Sequence, residues 1–202
     1  IISHTSGMNM SSKVFKYFNI TPNLSLKSDW VNRSFKGMVD STGEIGKSEV
    51  LGFASRTTGS FSLNVNTQVY GLFPIRLGNI QAVRHVASPS VGYSYRPDFS
   101  KEVFGSNPNY YQAIQQDNGE VVYFDRFAGT LAGGTPKGEN QSINFSLNNV
   151  FQAKVVNGDQ ELKQDLFSWR LSTNKNFVSD QFQWGNLNSS IRANVQRRLN
   201  LD

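Results

Sequence analysis

The feature that most constrains this chain is a period-two alternation of apolar and small polar residues, sustained over unusually long stretches. It is clearest from Ser60 to Phe73, where Phe61, Leu63 and Val65 alternate with serine and asparagine. Successive side chains of a strand point to opposite faces, so this stretch predicts a strand with one apolar and one polar face. It exceeds the roughly 5–6 residues of a typical globular strand and meets the roughly 9–11 of a membrane-spanning strand.

Similar alternation recurs along the chain, and no segment has a sustained helical pattern of apolar residues. The sequence therefore predicts an all-β fold, an antiparallel wall of about seven or eight strands from a larger transmembrane β-barrel. The predicted strands are Ser3–Val14, Ile20–Arg33, Ser60–Phe73 with a possible earlier start at Glu49, Val83–Arg96, Gln141–Val156, Lys163–Phe177 and Leu187–Leu201.

The predicted connections alternate between short and long. Long polar loops are expected at Ser34–Lys47, Pro97–Gly138 and Val178–Asn186, and a tight turn at Asn157-Gly158. Outer-membrane barrels have short periplasmic turns and long external loops, so the second, fourth and sixth strands are expected to run outward. Within the longest loop, Asp117-Asn118-Gly119 predicts a protruding hairpin.

Several short motifs, spread over most of the chain, carry a resemblance to a known family. The motifs are Lys16-Tyr17-Phe18-Asn19-Ile20-Thr21-Pro22, Ser88-Pro89 through Tyr93-x-Tyr95-x-Pro97-Asp98, Glu139-Asn140-Gln141-Ser142 and Leu166-Phe167-Ser168-Trp169. Together they resemble the β-barrel of LptD, the lipopolysaccharide-assembly protein of the Gram-negative outer membrane. The resemblance implies a non-enzymatic translocon that inserts lipopolysaccharide into the outer leaflet, with the lipoprotein LptE plugged inside its barrel.

Two further expectations concern the extent of the chain. Seven strands is an odd number, whereas bacterial single-chain barrels have an even number. An open sheet edge cannot persist in lipid, because its unpaired amides and carbonyls cost several kcal/mol each. Residues 1–202 are therefore expected to be a single incomplete segment of a barrel domain, without a periplasmic domain or a signal peptide. The missing strands would come from the same barrel or from a complex that completes it.

Composition restricts the chemistry. The 202 residues contain no cysteine and only two histidines, His4 and His85, which lie far apart in sequence. Because no nucleophile–base grouping or metal-ligand spacing is visible, we expect no enzyme activity, metal or cofactor. The net charge of +5 could suggest nucleic acid, but the basic residues are scattered and only Arg197-Arg198 are adjacent, so no nucleic-acid partner is expected.

The candidate site residues are basic side chains on the predicted polar faces, where they would point into a barrel lumen: Arg84, Arg96, Lys154, Arg170 and Arg192. The simpler interpretation is a network of paired or solvated lumenal charges, which would also include Lys27 and Asp29. The functional interpretation is contact with a plug partner or with the acidic sugars of a glycolipid.

Two features of the predicted strands need a structural explanation. Aromatic residues near strand ends, such as Tyr93 and Tyr95, are expected to anchor the wall at the membrane interface. Pro89 lies inside a predicted strand and requires a bulge or a position without a neighbouring acceptor.

Two alternatives to this function stay open on sequence. One is a different outer-membrane barrel, such as a porin or receptor. The other is a soluble β-sandwich that binds carbohydrate.

Overall fold

The computed structural model describes residues 1–40, 43–75, 78–116, 119–157 and 160–193. Throughout these ranges the regular elements are β-strands. They are β1 Ile2–Asn9, β2 Ser12–Val14, β3 Phe18–Val39, β4 Ile45–Asn66, β5 Val69–Phe73, β6 Ile80–Arg96, β7 Tyr111–Gln115, β8 Val121–Asp125, β9 Asn140–Asn157, β10 Gln160–Asn176 and β11 Asn188–Ala193. The all-β prediction is confirmed.

Nine of these strands form one antiparallel sheet in the order β1-β3-β4-β6-β9-β10-β11, with β2 also paired to β3 and β5 to β6. β7 and β8 form a separate hairpin. The sheet is not closed among the described strands, so β1 and β11 lie at its two ends. No helix in the described ranges is long and apolar enough to cross a bilayer.

The chain divides into two compact units, which we describe separately. Unit 1 contains Ile1–Asn9, Asn23–Ser62 and Ser94–Gln141. Unit 2 contains Met10–Pro22, Leu63–Tyr93 and Ser142–Asp202, of which the residues after 193 lie outside the described ranges.

The strands are longer than a membrane requires. β3 and β4 each contain 22 residues. At about 3.3 Å per residue such a strand is about 70 Å long, and a tilt of about 45° still leaves it about twice as tall as the roughly 25 Å apolar band of an outer-membrane barrel. Part of each strand must therefore lie outside the hydrocarbon.

The predicted loop Ser34–Lys47 is wrong. β3 continues to Val39 and β4 starts at Ile45, so the connection is short. The Asp40 amide donates to the Glu44 carbonyl at 2.9 Å, and the Asp40 carboxylate accepts from the Glu44 amide at 3.0 Å. The glycine-rich, polar composition suggested a loop, but backbone pairing and packing from elsewhere in unit 1 keep this segment extended.

Two predicted strands are interrupted. The predicted strand Ser60–Phe73 breaks at Thr67 and Gln68, between β4 and β5, and Ser3–Val14 breaks between β1 and β2. The Thr67 amide donates to the carbonyl of Pro89 at 3.2 Å, which places the first break opposite the proline. The predicted irregularity at Pro89 is confirmed, because a residue without an amide hydrogen cannot complete a regular ladder.

A bulge also explains an irregular stretch of β10. The pairing with β9 shifts between Asp165 and Phe167, so that Leu166 is the extra residue. Such a bulge moves the following side chains to the other face of the strand. It places Asp165 on the same face as Arg170, although the two differ in parity.

Some predictions lie on residues outside the described ranges. They are the hairpin tip at Asp117-Asn118, Gly158 of the Asn157-Gly158 turn, Arg197-Arg198 and the predicted strand after residue 193. The start of that last strand is confirmed as β11.

Candidate functional site

Unit 1 contains a buried ion pair on the polar face of β3 and β4. The Arg56 guanidinium donates to the Asp29 carboxylate, with Nη2 and Oδ2 2.8 Å apart, and the two residues are 3% and 0% exposed. Asp29 also accepts from the Ser3 hydroxyl at 2.7 Å and lies 3.2 Å from the Lys27 ammonium. Burial of this pair requires such partners, because an isolated buried charge is strongly destabilising.

The long loop after β6 covers this pair. We call the described residues of 97–138 the strap. Arg56 donates to the strap carbonyls of Ala132 at 3.0 Å and Gly133 at 2.9 Å, and to the Thr135 hydroxyl at 3.1 Å. Its guanidinium carbon lies 5.1 Å from the centre of the Phe127 ring. One arginine thus joins the wall to four residues of the strap.

The strap is held in shape by two aspartates of its own. Asp125 accepts from the amide and the hydroxyl of Thr135. Asp98 accepts from Ser100 and from the Gly138 amide, which fixes the two ends of the strap together. Burial raises the pKa of the Asp98 carboxyl, but these hydrogen bonds and the nearby Lys101 outweigh it, and the net pKa is below its ordinary value.

The hairpin within the strap also packs on β3. Gln112 exchanges two hydrogen bonds with the backbone of Gly37, at 3.1 and 3.2 Å. A Cβ atom at Gly37 would lie 2.3 Å from Ile114 Cδ1 and 2.8 Å from Phe124 Cγ, so only glycine allows this approach. The predicted hairpin is confirmed, but its predicted protrusion is wrong, because it lies flat against the wall.

Unit 2 contains an open polar cleft of about 380 Å³. It lies where β4 and β5 are interrupted, beside Pro89. Its lining consists of hydroxyl, amide and guanidinium side chains around the proline: Asn66, Thr67, Gln68, Ser88, Pro89, Ser90, Ser146, Asn148 and Arg170. None of the described residues of the lining carries a carboxylate.

The strand register separates the two faces of unit 2. Leu147 lies opposite Leu171 across β9 and β10, and the next position pairs Asn148 with Arg170. Directly opposite residues of an antiparallel pair share a face. The leucines therefore lie on one face and the cleft on the other, as the period-two pattern predicted.

Two polar side chains, His85 and Asn149, pair with each other on the apolar face of unit 2. His85 Nε2 donates to Asn149 Oδ1 at 2.9 Å, and the Asn149 amide donates to the Trp169 carbonyl at 3.2 Å. The His85 ring stacks on Phe151, with centroids 4.4 Å apart, and Phe151 stacks on Phe167. Asn149 is buried, with 5% of its surface exposed, and these two hydrogen bonds satisfy its side-chain oxygen and its amide group.

The structure does not bring the five predicted basic residues into one site. In unit 2, Arg84 stacks over Tyr70 at 4.8 Å and Lys154 pairs with Glu161 at 2.6 Å. Arg170 and Arg192 are exposed and have no ion-pair or hydrogen-bond partner among the described residues. In unit 1, Arg96 donates to the Gly138 carbonyl at 3.2 Å.

Sequence reasoning missed Arg56, the most strongly bound basic residue of unit 1. Arg56 lies between the predicted loop Ser34–Lys47 and Ser60, where the clear alternation of the next predicted strand begins. Extending the alternation from Ser60 back to Glu49 gives Arg56 the parity of the polar serines, and that signal would have placed it on the polar face of its strand. The described residues contain no cluster of histidine, aspartate and glutamate able to hold a metal ion.

Long antiparallel strands with one apolar and one polar face define the wall of an outer-membrane β-barrel. Comparison with family models agrees: the model described as LptD protein matches residues 1–202. The chain therefore belongs to the LptD family of Gram-negative outer-membrane proteins. No match was found among curated proteins or solved structures.

Family membership gives this chain a role in lipopolysaccharide transport and assembly. It also sets aside the porin, receptor and soluble β-sandwich alternatives. The LptD family consists of transport and assembly proteins and is not known for enzymatic activity.

Proposed function

We propose that this chain forms part of the wall of the translocon that inserts lipopolysaccharide into the outer leaflet, with its polar faces toward the lumen. The observation that carries the proposal is the open polar face of unit 2, with its cleft and its unpaired Arg170, in a chain that belongs to the LptD family along its whole length. A polar surface with free hydrogen-bonding groups suits the hydrophilic part of a glycolipid in transit.

The basic residues divide into two groups under this proposal. Arg84, Arg96 and Lys154 have partners within the chain and support the wall. Arg170 and Arg192 retain unused guanidinium donors among the described residues, and such forks bind phosphate or carboxylate bidentately. These two arginines are the proposed contacts for acidic groups on the glycolipid or on a lipoprotein plug of the LptE kind.

The ends of the sheet define the second proposed interaction. β1 is paired on one side by β3, and β11 on one side by β10. A free strand edge cannot persist in hydrocarbon. We therefore propose that further strands, from the same polypeptide or from another chain, pair with β1 and β11 to close the barrel.

The proposal is tested by replacing Arg170 and Arg192 together with glutamine. Both side chains are exposed, so the folded barrel should form normally and show the usual heat-modifiable migration. Surface lipopolysaccharide, measured in intact cells, should fall several-fold, or co-purification of the lipoprotein plug should weaken.

A matched control removes two positive charges elsewhere. Lys16 lies exposed in the turn after β2, and Lys101 is 79% exposed in the strap. The Lys16→Gln/Lys101→Gln variant should deliver lipopolysaccharide normally. Equal delivery in both double variants would leave Arg170 and Arg192 as ordinary solvated charges and remove them from the proposed function.

A further inference from the structure

The cleft in unit 2 exists because the backbone ladder fails there. β4 ends at Asn66 and β5 starts at Val69, and Thr67, in the break between them, lies opposite Pro89. The Thr67 amide reaches the Pro89 carbonyl, but proline has no amide hydrogen to return. Side chains rather than ladder hydrogen bonds therefore line the gap.

The volume and lining of the cleft match a small polar ligand. Its volume of about 380 Å³ lies within the roughly 300–1,000 Å³ range of small-molecule sites. Hydroxyl and primary amide groups both donate and accept hydrogen bonds, as sugar hydroxyls do. The Gln68 Oε1 atom accepts from the Tyr70 hydroxyl at 2.6 Å, which leaves the Gln68 amide hydrogens for a ligand.

Charge narrows the ligand class further. Among the described residues, Arg170 is the only charged side chain of the lining, and it has no partner there. Ser90 and Ser146 hydrogen bond to each other at 2.8 Å and form the uncharged side of the cleft. One unpaired guanidinium beside several hydroxyls and amides fits a polyol that carries a single anionic group.

We propose that the cleft is a binding subsite for an acidic sugar, with its phosphate or carboxylate on Arg170 and its hydroxyls on the amides and hydroxyls around Pro89. The lining favours a sugar over a carboxylate side chain of a protein partner. Such a carboxylate would bind Arg170 but would leave the amide and hydroxyl groups of the cleft without a hydrogen-bond partner from the ligand. The subsite deepens the proposed function and rests on it, because it names the part of the glycolipid that this face holds during passage.

The test measures binding directly with the purified full-length barrel in detergent micelles. Saturation-transfer NMR would compare glucose 1-phosphate, glucuronate, glucose and inorganic phosphate at millimolar concentration. We expect the two acidic sugars to bind at least tenfold more tightly than glucose and than inorganic phosphate. A difference between glucose 1-phosphate and glucuronate would identify which anion the site prefers.

Variants assign the signal to the cleft. Arg170→Gln should reduce binding of both acidic sugars at least tenfold, and Gln68→Ala should reduce it less. Lys101→Gln, which removes an exposed charge in the strap, should not change it. Three results would overturn the subsite: no binding of either acidic sugar, inorganic phosphate binding as tightly as glucose 1-phosphate, or an unchanged signal in Arg170→Gln.

Any of these results, combined with a lipopolysaccharide delivery defect in Arg170→Gln/Arg192→Gln, would refute the subsite and retain the proposed function. Normal delivery in that double variant, combined with acidic-sugar binding that depends on Arg170, would retain the subsite and refute its role in transport.

Discussion

Arg56 and Arg170 are both arginines on polar faces of long strands, and their surroundings differ completely. Arg56, in unit 1, is buried, bound to Asp29 and covered by the strap. Arg170, in unit 2, is exposed beside an open cleft and has no partner among the described residues. The contrast shows that the same residue type on the same kind of face holds the structure together in one unit and remains available to a ligand in the other.

The difference in burial between Arg56 and Arg170 arises from the connections between strands rather than from the strands themselves. In unit 1 the connection after β6 is long enough to fold back and supply carbonyl groups to a buried guanidinium. In unit 2 the lining of the cleft comes from strands and from the break beside Pro89. The four predictions below test this contrast, starting with the largest expected effect.

Arg56→Gln should destabilise unit 1 strongly, because it leaves Asp29 buried without its principal partner. Breaking a buried pair in this way costs about 3–5 kcal/mol. The measurement is denaturant unfolding of the reconstituted barrel, with protease cleavage within the strap as a local readout. Arg170→Gln is the matched control and should change stability by less than about 0.5 kcal/mol. Similar costs at both arginines would erase the contrast between the units.

Leu147→Arg should cost about 2–4 kcal/mol if the face opposite the cleft contacts lipid. Asn148→Arg, one residue further along the same strand, places the charge on the polar face and should be tolerated. Folding yield into vesicles, followed by heat-modifiable migration, distinguishes the two. Equal tolerance at both positions would mean that neither face of β9 lies in hydrocarbon.

Gly37→Ala should cost about 1–3 kcal/mol, because its new methyl group would collide with Ile114 and Phe124 where the strap hairpin rests on β3. Gly46 offers the control, since among the described residues a Cβ there would meet only the Met38 carbonyl oxygen, at 3.8 Å. Hydrogen exchange of the β7 and β8 amides reports the loosening directly. Unchanged protection in Gly37→Ala would argue against close packing of the hairpin on the wall.

Asp98→Asn should loosen the ends of the strap by about 1 kcal/mol at neutral pH, because hydrogen bonds to a charged acceptor are the stronger ones. The folded pKa of Asp98 lies below its ordinary value of 3.8. Its contribution is therefore complete above about pH 4 and is lost as the pH falls through the lower folded pKa.

The readout for Asp98 is the difference in strap hydrogen exchange between wild type and variant, corrected for intrinsic rates, from pH 7 to pH 3. This difference should shrink with acidification. Asp180→Asn, in the loop after β10, should show no difference at any pH. If the difference in strap hydrogen exchange between wild type and Asp98→Asn grew toward low pH, the inferred lowering of the Asp98 pKa would be wrong.

The sequence predicted much of the wall because period two is a local property. The alternation around Leu147 and Asn148 fixed which side chains share a face, and the register of β9 with β10 confirms it. Pro89 likewise predicted an irregularity in the strand pairing, because proline has no amide hydrogen to donate. The family motifs near Pro89 and Trp169 predicted an assignment that the match over the whole chain confirms.

The predictions failed where distant residues decide the outcome. Residues 34–39 have a loop-like composition, but hydrogen bonds with the strap hold them in β3. Gln112 of the strap exchanges two hydrogen bonds with the Gly37 backbone, and the Phe35 amide donates to the Arg126 carbonyl. Arg56 was missed for the same reason, since its partners Ala132 and Thr135 lie far along the chain and no local pattern records them.

The sequence by itself therefore determined the strand class, the two faces and the family, because side-chain alternation and proline chemistry act over one or two residues. Tertiary structure decided which arginine is buried and which is free. That outcome depends on whether a loop can fold back far enough to satisfy a guanidinium with carbonyl groups. The cost of burying an unpaired charge makes Arg56 depend on the strap, and exposure leaves Arg170 open to a ligand.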